Sequence, residues 1–389
     1  MENLSRIYLD NAATSFPKPE SVYAAVEVYN RQLGTAVGRG TSRDSMTVQS
    51  TVDRCRKRAA DLIGAESSDR IVFTFNGTDS LNLAIHGLLA PGDHVVTTVI
   101  EHNSVLRPLN ELESRIGLEV THIQADETGL IDPVEFQRAI QPNTKMFALI
   151  HASNVTGTLQ PIEAVGEIAR EAGITFLLDA AQSIGHTPIN LDQLPVDLLA
   201  CPGHKGLLGP LGTGLLYIRP GLEQQLNNVR QGGTGSESEN PNQPETLPDK
   251  FESGNHNAPG LFGLEAGLKH LSEVGIDSIQ SHEQQLLNQM FSGLAGLPGL
   301  KVYGPNDAEK QVGVASISVE GWEPQVLASL LDEQFQIQTR AGLHCAPGVH
   351  RAIGSFAVGG TVRFSFGPFT TADDIDAAVT ALKEISGTV

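Results

Sequence analysis

Cysteine is scarce in this chain. Its 389 residues include only Cys55, Cys201 and Cys345, far apart and never as a CxxC pair. That excludes a disulfide framework and a thiolate zinc site, and it suits a reducing compartment. Basic residues are in short supply as well: 26 lysines and arginines face 45 acids, a formal net charge of −19. Such a balance argues against binding nucleic acid and against docking on anionic membrane. No apolar run approaches the length of a membrane span. The start, MENLSRIYLDNAATS, has no basic stretch followed by an apolar one, so no secretory leader is expected and the cytoplasm is the expected location. Repeats and low-complexity tracts are absent too.

The chain is long enough for two domains, and its forty glycines suit an α/β enzyme with tight ligand loops. Strand-like runs at residues 71–75, 94–99, 118–123, 145–150 and 174–179 alternate with helical patterns, among them 104–116 and 162–171. This alternation predicts a mostly parallel sheet covered on both faces. Before it come a short strand at 7–10, a helix opened by Pro17 and Pro19, and a long amphipathic helix over 44–63. On that helix Met46, Val48, Val52, Cys55, Ala59 and Leu62 form the apolar side. Residues 231–249, QGGTGSESENPNQPETLPD, read as a long polar surface loop. After a helical region at 261–294, strands at 314–319, 336–339 and 361–366 alternate with helices at 323–333 and 372–385. That pattern predicts a smaller α+β domain.

Residues 176–205 organise the chemistry. Asp179 ends one buried run, and a second run at 196–201 delivers Pro202-Gly203-His204-Lys205 and the segment GLLGPLGTG. A carboxylate and a lysine converging on one ligand are what pyridoxal 5'-phosphate (PLP) needs: the amine holds its aldehyde as a Schiff base, and the carboxylate keeps the pyridine nitrogen protonated. Either residue alone is more simply an ordinary strand-end acid or a solvated loop lysine. Two more strand ends strengthen the case, with His102 able to lie flat on a ring and Asn154 able to bond the ring oxygen. Gln182 is a second candidate for that oxygen or for the Schiff-base nitrogen. Asn76-Gly77-Thr78, between a strand and a helix, reads as an anion seat. A doubly wound sheet binds its ligand at this edge.

The segments YLDNAATS, NGTDSLNLAIHGL, EHNSVLRP, SNVTGTLQPI, LLDAAQSIGH, GHKGLLGPLGTG, FESGNHN, RAGLHCAPGVHRAIG and TVRFSFGPF resemble, in order and spacing, the aminotransferase class V enzymes of PLP fold type I, within them the group II cysteine desulfurases and selenocysteine lyases. The resemblance implies an α/β fold with a large PLP-binding domain (residues 16–258) and a small α+β domain (1–15 and 259–389). It implies that Lys205 carries the cofactor, Asp179 pairs with the ring nitrogen, His102 stacks on the ring, and Asn154 and Gln182 contact its oxygen. Gly77, Thr78 and His204 would seat the phosphate, with Asn255 reaching the seat of a partner subunit in a homodimer. Arg363, with Arg340 and Asn154, would hold the substrate carboxylate, and Cys345 would take the sulfur of L-cysteine as a persulfide. Arg340 and His344 are expected to favour its thiolate. A sulfur-acceptor protein is an expected partner, with the acidic loop at 236–245 a candidate contact. Selenocysteine or cystine as substrate, and a binding scaffold without turnover, are the alternatives. The chain departs from the family at Gly77, where Ala or Thr is usual. It also departs at Pro202 (for Ser or Thr) and Asn255 (for Thr), which puts the phosphate seat in question, and at Leu343 (for His), which makes the site less polar.

Overall fold

The computed structural model describes residues 6–38, 40–236 and 239–387. The stretch read above for a leader (residues 1–5) and positions 237–238 of the polar loop lie outside the described residues. β1 (Ile7–Tyr8) precedes the helices α1 (Glu20–Val28) and α2 (Arg43–Ile63). Strands and helices then alternate through β2 (Ile71–Thr74), α3 (Gly77–Leu88), β3 (His94–Thr98), α4 (Asn103–Ile116) and β4 (Glu119–Ile123). The series continues with α5 (Pro133–Arg138), β5 (Thr144–Ile150), α6 (Ile162–Ala172), β6 (Thr175–Asp179), β7 (Leu198–Pro202) and β8 (Gly214–Ile218).

The strands β2 to β8 build one seven-stranded sheet in the order β2-β8-β7-β6-β5-β3-β4. Six of them run parallel, and β8 runs against both its neighbours. The central strands are apolar on both sides because helices cover both faces. Phe147, Leu149, Phe176, Leu178 and Leu199 enter one core, while Met146, Ala148, Leu177, Leu198 and Ala200 enter the other. β8 is a strand the sequence reading lacks, since its five residues GLLYI follow directly on a glycine-rich segment. Met46 is a correction: it is 58% exposed, whereas Val48, Val52, Cys55 and Ala59 of α2 are buried as expected.

The helical region expected at 261–294 is two helices, α7 (Ala258–Val274) and α8 (Ile276–Leu294), broken at Gly275 with φ +84°. α7 packs on α1 and α2 and places Leu261, Leu264, Leu268 and Leu271 in the first core. Then come β9 (Leu300–Tyr303), β10 (Val314–Val319), α9 (Pro324–Phe335), β11 (Ile337–Gln338), β12 (Arg340–Gly342), α10 (Pro347–Ala352), β13 (Thr361–Ser365) and α11 (Ala372–Ser386). β12-β13-β10-β9 form an antiparallel sheet, against which α8 and α11 bury Leu286, Leu287, Met290, Ile375 and Leu382. β1 pairs with β11, and Asp10 bridges to Ser365. The N-terminal segment therefore runs along the small sheet and reaches the edge of the large one. No helix among the described residues is long and apolar enough to cross a membrane.

Candidate active site

The sheet reverses its winding between β3 and β5: the chain proceeds from β3 outward to β4, then returns through β5, β6 and β7 in the other direction. Open α/β sheets bind ligands beyond the strand ends at such a point. His102 follows β3, Asn154 follows β5, Asp179 ends β6, and Lys205 follows β7. Backbone contact ties the last two together. Gly185, with φ +81°, faces Gly206 so closely that a Cβ on Gly185 would stand 2.2 Å from the Gly206 oxygen. A Cβ on Gly206 would stand 2.0 Å from the Ile184 oxygen. No side chain fits between the turn after Asp179 and the turn after Lys205.

Lys205 is buried, and that burial pulls its amine down to about 8, with Asp179 pulling up and Arg363 and Arg340 down. Asp179 is 2% exposed, and burial raises its pKa against the Ala181 N–H and Lys205. It is a desolvated carboxylate that gains from a cation placed against it. His102 caps α4, its Nδ1 accepting from the Ser104 N–H at 3.1 Å, so the ring proton resides on Nε2. Burial, Lys205, Arg340 and Arg107 hold the imidazole at about 4, and so it is neutral at physiological pH.

The anion seat is the N-terminus of α3. Asn76 caps it by accepting from the Asp79 N–H at 2.9 Å, and Thr78 Oγ1 lies 2.8 Å from Ser104 Oγ. A Cβ on Gly77 would lie 3.0 Å from Pro202 Cδ and 3.2 Å from Pro202 N. The proline ring crowds the space of the side chain that Gly77 lacks, so two departures from the family pattern form one packing unit. His204 presents a buried Nδ1 without a hydrogen-bond partner. Asn255 is exposed and lines a small surface cavity with Phe75 and Arg230, apart from Thr78 and His204.

On the small-domain side Arg363 is 2% exposed. Its Nη2 bonds Asp10 Oδ1 at 2.6 Å, its Nη1 bonds the Asn154 oxygen at 2.9 Å, and its Nε is buried without a partner. Arg340 is its cross-strand neighbour and is exposed. Asn154 donates to the His344 oxygen at 2.6 Å and leaves Oδ1 buried and free. Gln182 donates to the Ala12 oxygen at 3.0 Å. Cys345 is exposed and lines a cavity of about 590 Å³ with Thr78, His102, Ser104 and Arg107. His344 and Cys345 both adopt left-handed backbone conformations, φ +48° and +60°, an uncommon pairing for residues with side chains. The loop is held by the Asn103 N–H on the Cys345 oxygen at 2.9 Å. One expectation needs correcting here. His344 is not a cation beside the thiol, since burial, Arg363 and His350 keep it well below the usual histidine range.

The residues fit PLP. A buried carboxylate whose one hydrogen bond comes from the Ala181 N–H, a buried amine near neutrality, a helix N-terminus and the free polar atoms of Asn154, His204 and Arg363 converge on one sheet edge. Among the described residues, no group of three or more His, Cys, Asp or Glu could hold a metal ion. The sequence pattern described as aminotransferase class-V matches residues 7–378. The chain belongs to that family. A probable cysteine desulfurase of Methanothermobacter thermautotrophicus is 35% identical over 98% of this chain and 95% of its own. Another, from Pyrococcus abyssi, is 36% identical over 97% and 94%. Among solved structures, the apo cysteine desulfurase of Thermococcus onnurineus superposes with a TM-score of 0.92 at 35% identity, covering 99% of this chain and 95% of that one. Escherichia coli CsdA, a cysteine desulfurase, gives 0.87 at 28% identity over 99% and 95%.

Several residues at the site escape sequence reading. The His204 oxygen, in the peptide just before Lys205, accepts from the Ser15 N–H and Thr14 Oγ1, each at 3.1 Å, and from Ser15 Oγ and Lys18 Nζ, each at 3.2 Å. Glu101 is fully buried, accepts from Thr98 Oγ1 at 2.7 Å and the Ile150 N–H at 3.1 Å, and is raised to about 8 chiefly by burial. Asp10 sits on Arg363. All but Lys18 belong to quoted motifs, yet nothing local in those motifs tells which distant atom each side chain reaches.

Proposed function

We propose that the chain takes sulfur from L-cysteine and releases alanine, with Cys345 carrying the sulfur as a persulfide. The observation that carries this reading is Cys345 itself, the one exposed cysteine of the three, lining the cavity that His102 and Thr78 also line. Cys55 and Cys201 are packed in the core, and burial pushes both thiols up and out of reach of the thiolate form.

PLP, when bound, supplies an electron sink for the bonds at the substrate's α-carbon. Lys205 would hold the cofactor until the substrate's amine displaces it, and the freed amine, drawn down by burial to about 8, would take the α-proton. Asp179 would hold the ring nitrogen protonated, and the neutral ring of His102 would stack on the cofactor. Gly77, Thr78 and His204 seat the phosphate at the N-terminus of α3. Asn154 and Gln182 would flank the ring oxygen, each able to donate to it from its side-chain amide N–H. Arg363, assisted by Arg340, grips the substrate carboxylate. As the Cys345 thiolate bonds to the substrate sulfur, the Cβ–S bond breaks, and its electron pair remains on carbon, which takes a proton to become the methyl group of alanine.

Asn255, exposed on its own chain beside the exposed Phe75, supports a homodimer in which it reaches the partner's seat. The exposure of Cys345 supports handing the persulfide to an acceptor protein, for which residues 236–245 remain the candidate contact. The test is a Cys345→Ala variant given cysteine. Alanine output is expected to fall at least a hundredfold while the cofactor absorbance stays. Full alanine output, or no persulfide on Cys345 of the unmodified protein by mass spectrometry, would overturn the sulfur-transfer role.

A further inference from the structure

We propose that Asp10 is a positioning residue that tunes carboxylate affinity, an internal carboxylate that occupies Arg363 and shares it with the carboxylate of the substrate. The inference rests on the reading above that Arg363 is the carboxylate grip. Its basis is the geometry of the guanidinium. Arg363 has five N–H donors; one goes to the Asn154 oxygen and one to Asp10 Oδ1, the latter at 2.6 Å, and Nε is left buried and free. Asp10 is placed there by the fold: it bridges to Ser365, two residues along the strand from Arg363. The arginine side chain is 2% exposed and that of Asp10 is 20% exposed. Arg363 is thus nearly dry, while Asp10 keeps some access to water.

A substrate carboxylate that takes Nε and the neighbouring donor on Nη2 as a fork meets Asp10 already on Nη2. Two carboxylates then share one guanidinium in a site of low polarity, so the internal one weakens the grip on the external one. The weakening has a use. Cysteine and alanine present the same carboxylate, and a grip tight enough to hold the substrate firmly would hold the product as firmly. Asp10 closing back on Arg363 favours departure of alanine, and it neutralises a buried arginine while the site is free of substrate.

Asn is isosteric with Asp and still accepts from Nη2, so Asp10→Asn keeps the orientation and removes only the competing charge. Propionate, a carboxylate without an amine, is the probe, read as the rise it causes in the thermal midpoint of the PLP-loaded enzyme and as competitive inhibition of alanine formation. We expect Asp10→Asn to bind propionate at least fivefold more tightly and to lower KM for cysteine by a similar factor, with no gain in kcat. Asp10→Ala, which also removes the acceptor holding Nη2, is expected to bind propionate less tightly than Asp10→Asn. Should Asp10→Asn fail to load cofactor, Asp10→Ser serves, with the same direction expected. Propionate affinity unchanged within twofold in Asp10→Asn, or weakened as in Asp10→Ala, would overturn the proposal and leave Asp10 as a mere support. Arg363→Ala tests the underlying reading separately: if it binds propionate like the unmodified enzyme, Arg363 is not the carboxylate grip.

Discussion

Lys205 shows how single residues acquire their properties here. Its amine is drawn down to about 8 by burial, with Arg363 and Arg340 adding to the effect and Asp179 and Asp10 opposing it. The free amine is the base, and its fraction grows as pH rises, so single-turnover alanine formation is expected to climb through about pH 8 to a plateau. Replacing Arg340 with Gln removes a charge that lowers this pKa. The limb should then move to higher pH, by a small amount because Arg340 is exposed and its field is screened. A limb that stays in place or moves to lower pH would show that another group controls it. His102 tells a related story. Its identity was legible from a strand-end motif, yet its tautomer comes from the Ser104 N–H and its neutrality from burial and three neighbouring cations.

Among the elements, the seat between β7 and α3 is the least orthodox. The sequence marks Gly77 and Pro202 as separate departures that threaten the phosphate site. Packed together, they compensate one another, because a Cβ at position 77 would press on the ring of Pro202, 3.0 Å from its Cδ. Gly77→Ala alone is expected to cost about 1–2 kcal/mol through overpacking. In a Pro202→Ser background the same change should be close to neutral, since Ala is the better residue in a first helical turn. Urea unfolding of the four proteins gives a coupling of about 1–2 kcal/mol if this is right; additive effects would mean the contact is not tight. Elements with strong periodicity, such as α2 and the central strands, were legible within a residue or two. β8 and β12 were not: they are short, and β8 is flanked by glycine, so their pairing partners define them rather than their own pattern.

For the whole molecule, buried histidines set the response to acid. Burial holds His151 and His350 at about 4, and His344 lies well below the usual value. In the unfolded chain each reverts to about 6.5. Between pH 6.5 and 4 these three histidines bind more protons in the unfolded state and lower stability as pH falls, outweighing the opposite contribution of Glu101, whose raised carboxyl keeps its proton in the folded state. The thermal midpoint is expected to decline steadily over this window, by the equivalent of several kcal/mol in all, because each tenfold difference in proton affinity between the two states corresponds to about 1.4 kcal/mol. Replacing His350, whose Nδ1 bonds Ser355 Oγ at 2.7 Å, with Gln or Asn should flatten the decline. An unchanged slope would remove His350 from the account.

The sequence by itself determined the chemistry and the class of fold. PLP catalysis requires particular residue types, a doubly wound sheet puts them after successive strands, and both demands leave marks within a few residues of chain. Asp179, Lys205, His102 and Asn154 were marked as candidates in that way, while Cys345 was marked by its loop between Gly342 and Pro347. Only the tertiary structure decided what surrounds them. Asp10 on Arg363, four donors on the His204 oxygen and Pro202 against Gly77 join residues from 125 to 353 positions apart, and His344 loses its charge to burial. Contacts at such separations carry no periodic signal along the chain, and desolvation is a property of the packed interior, so neither is written in any one segment.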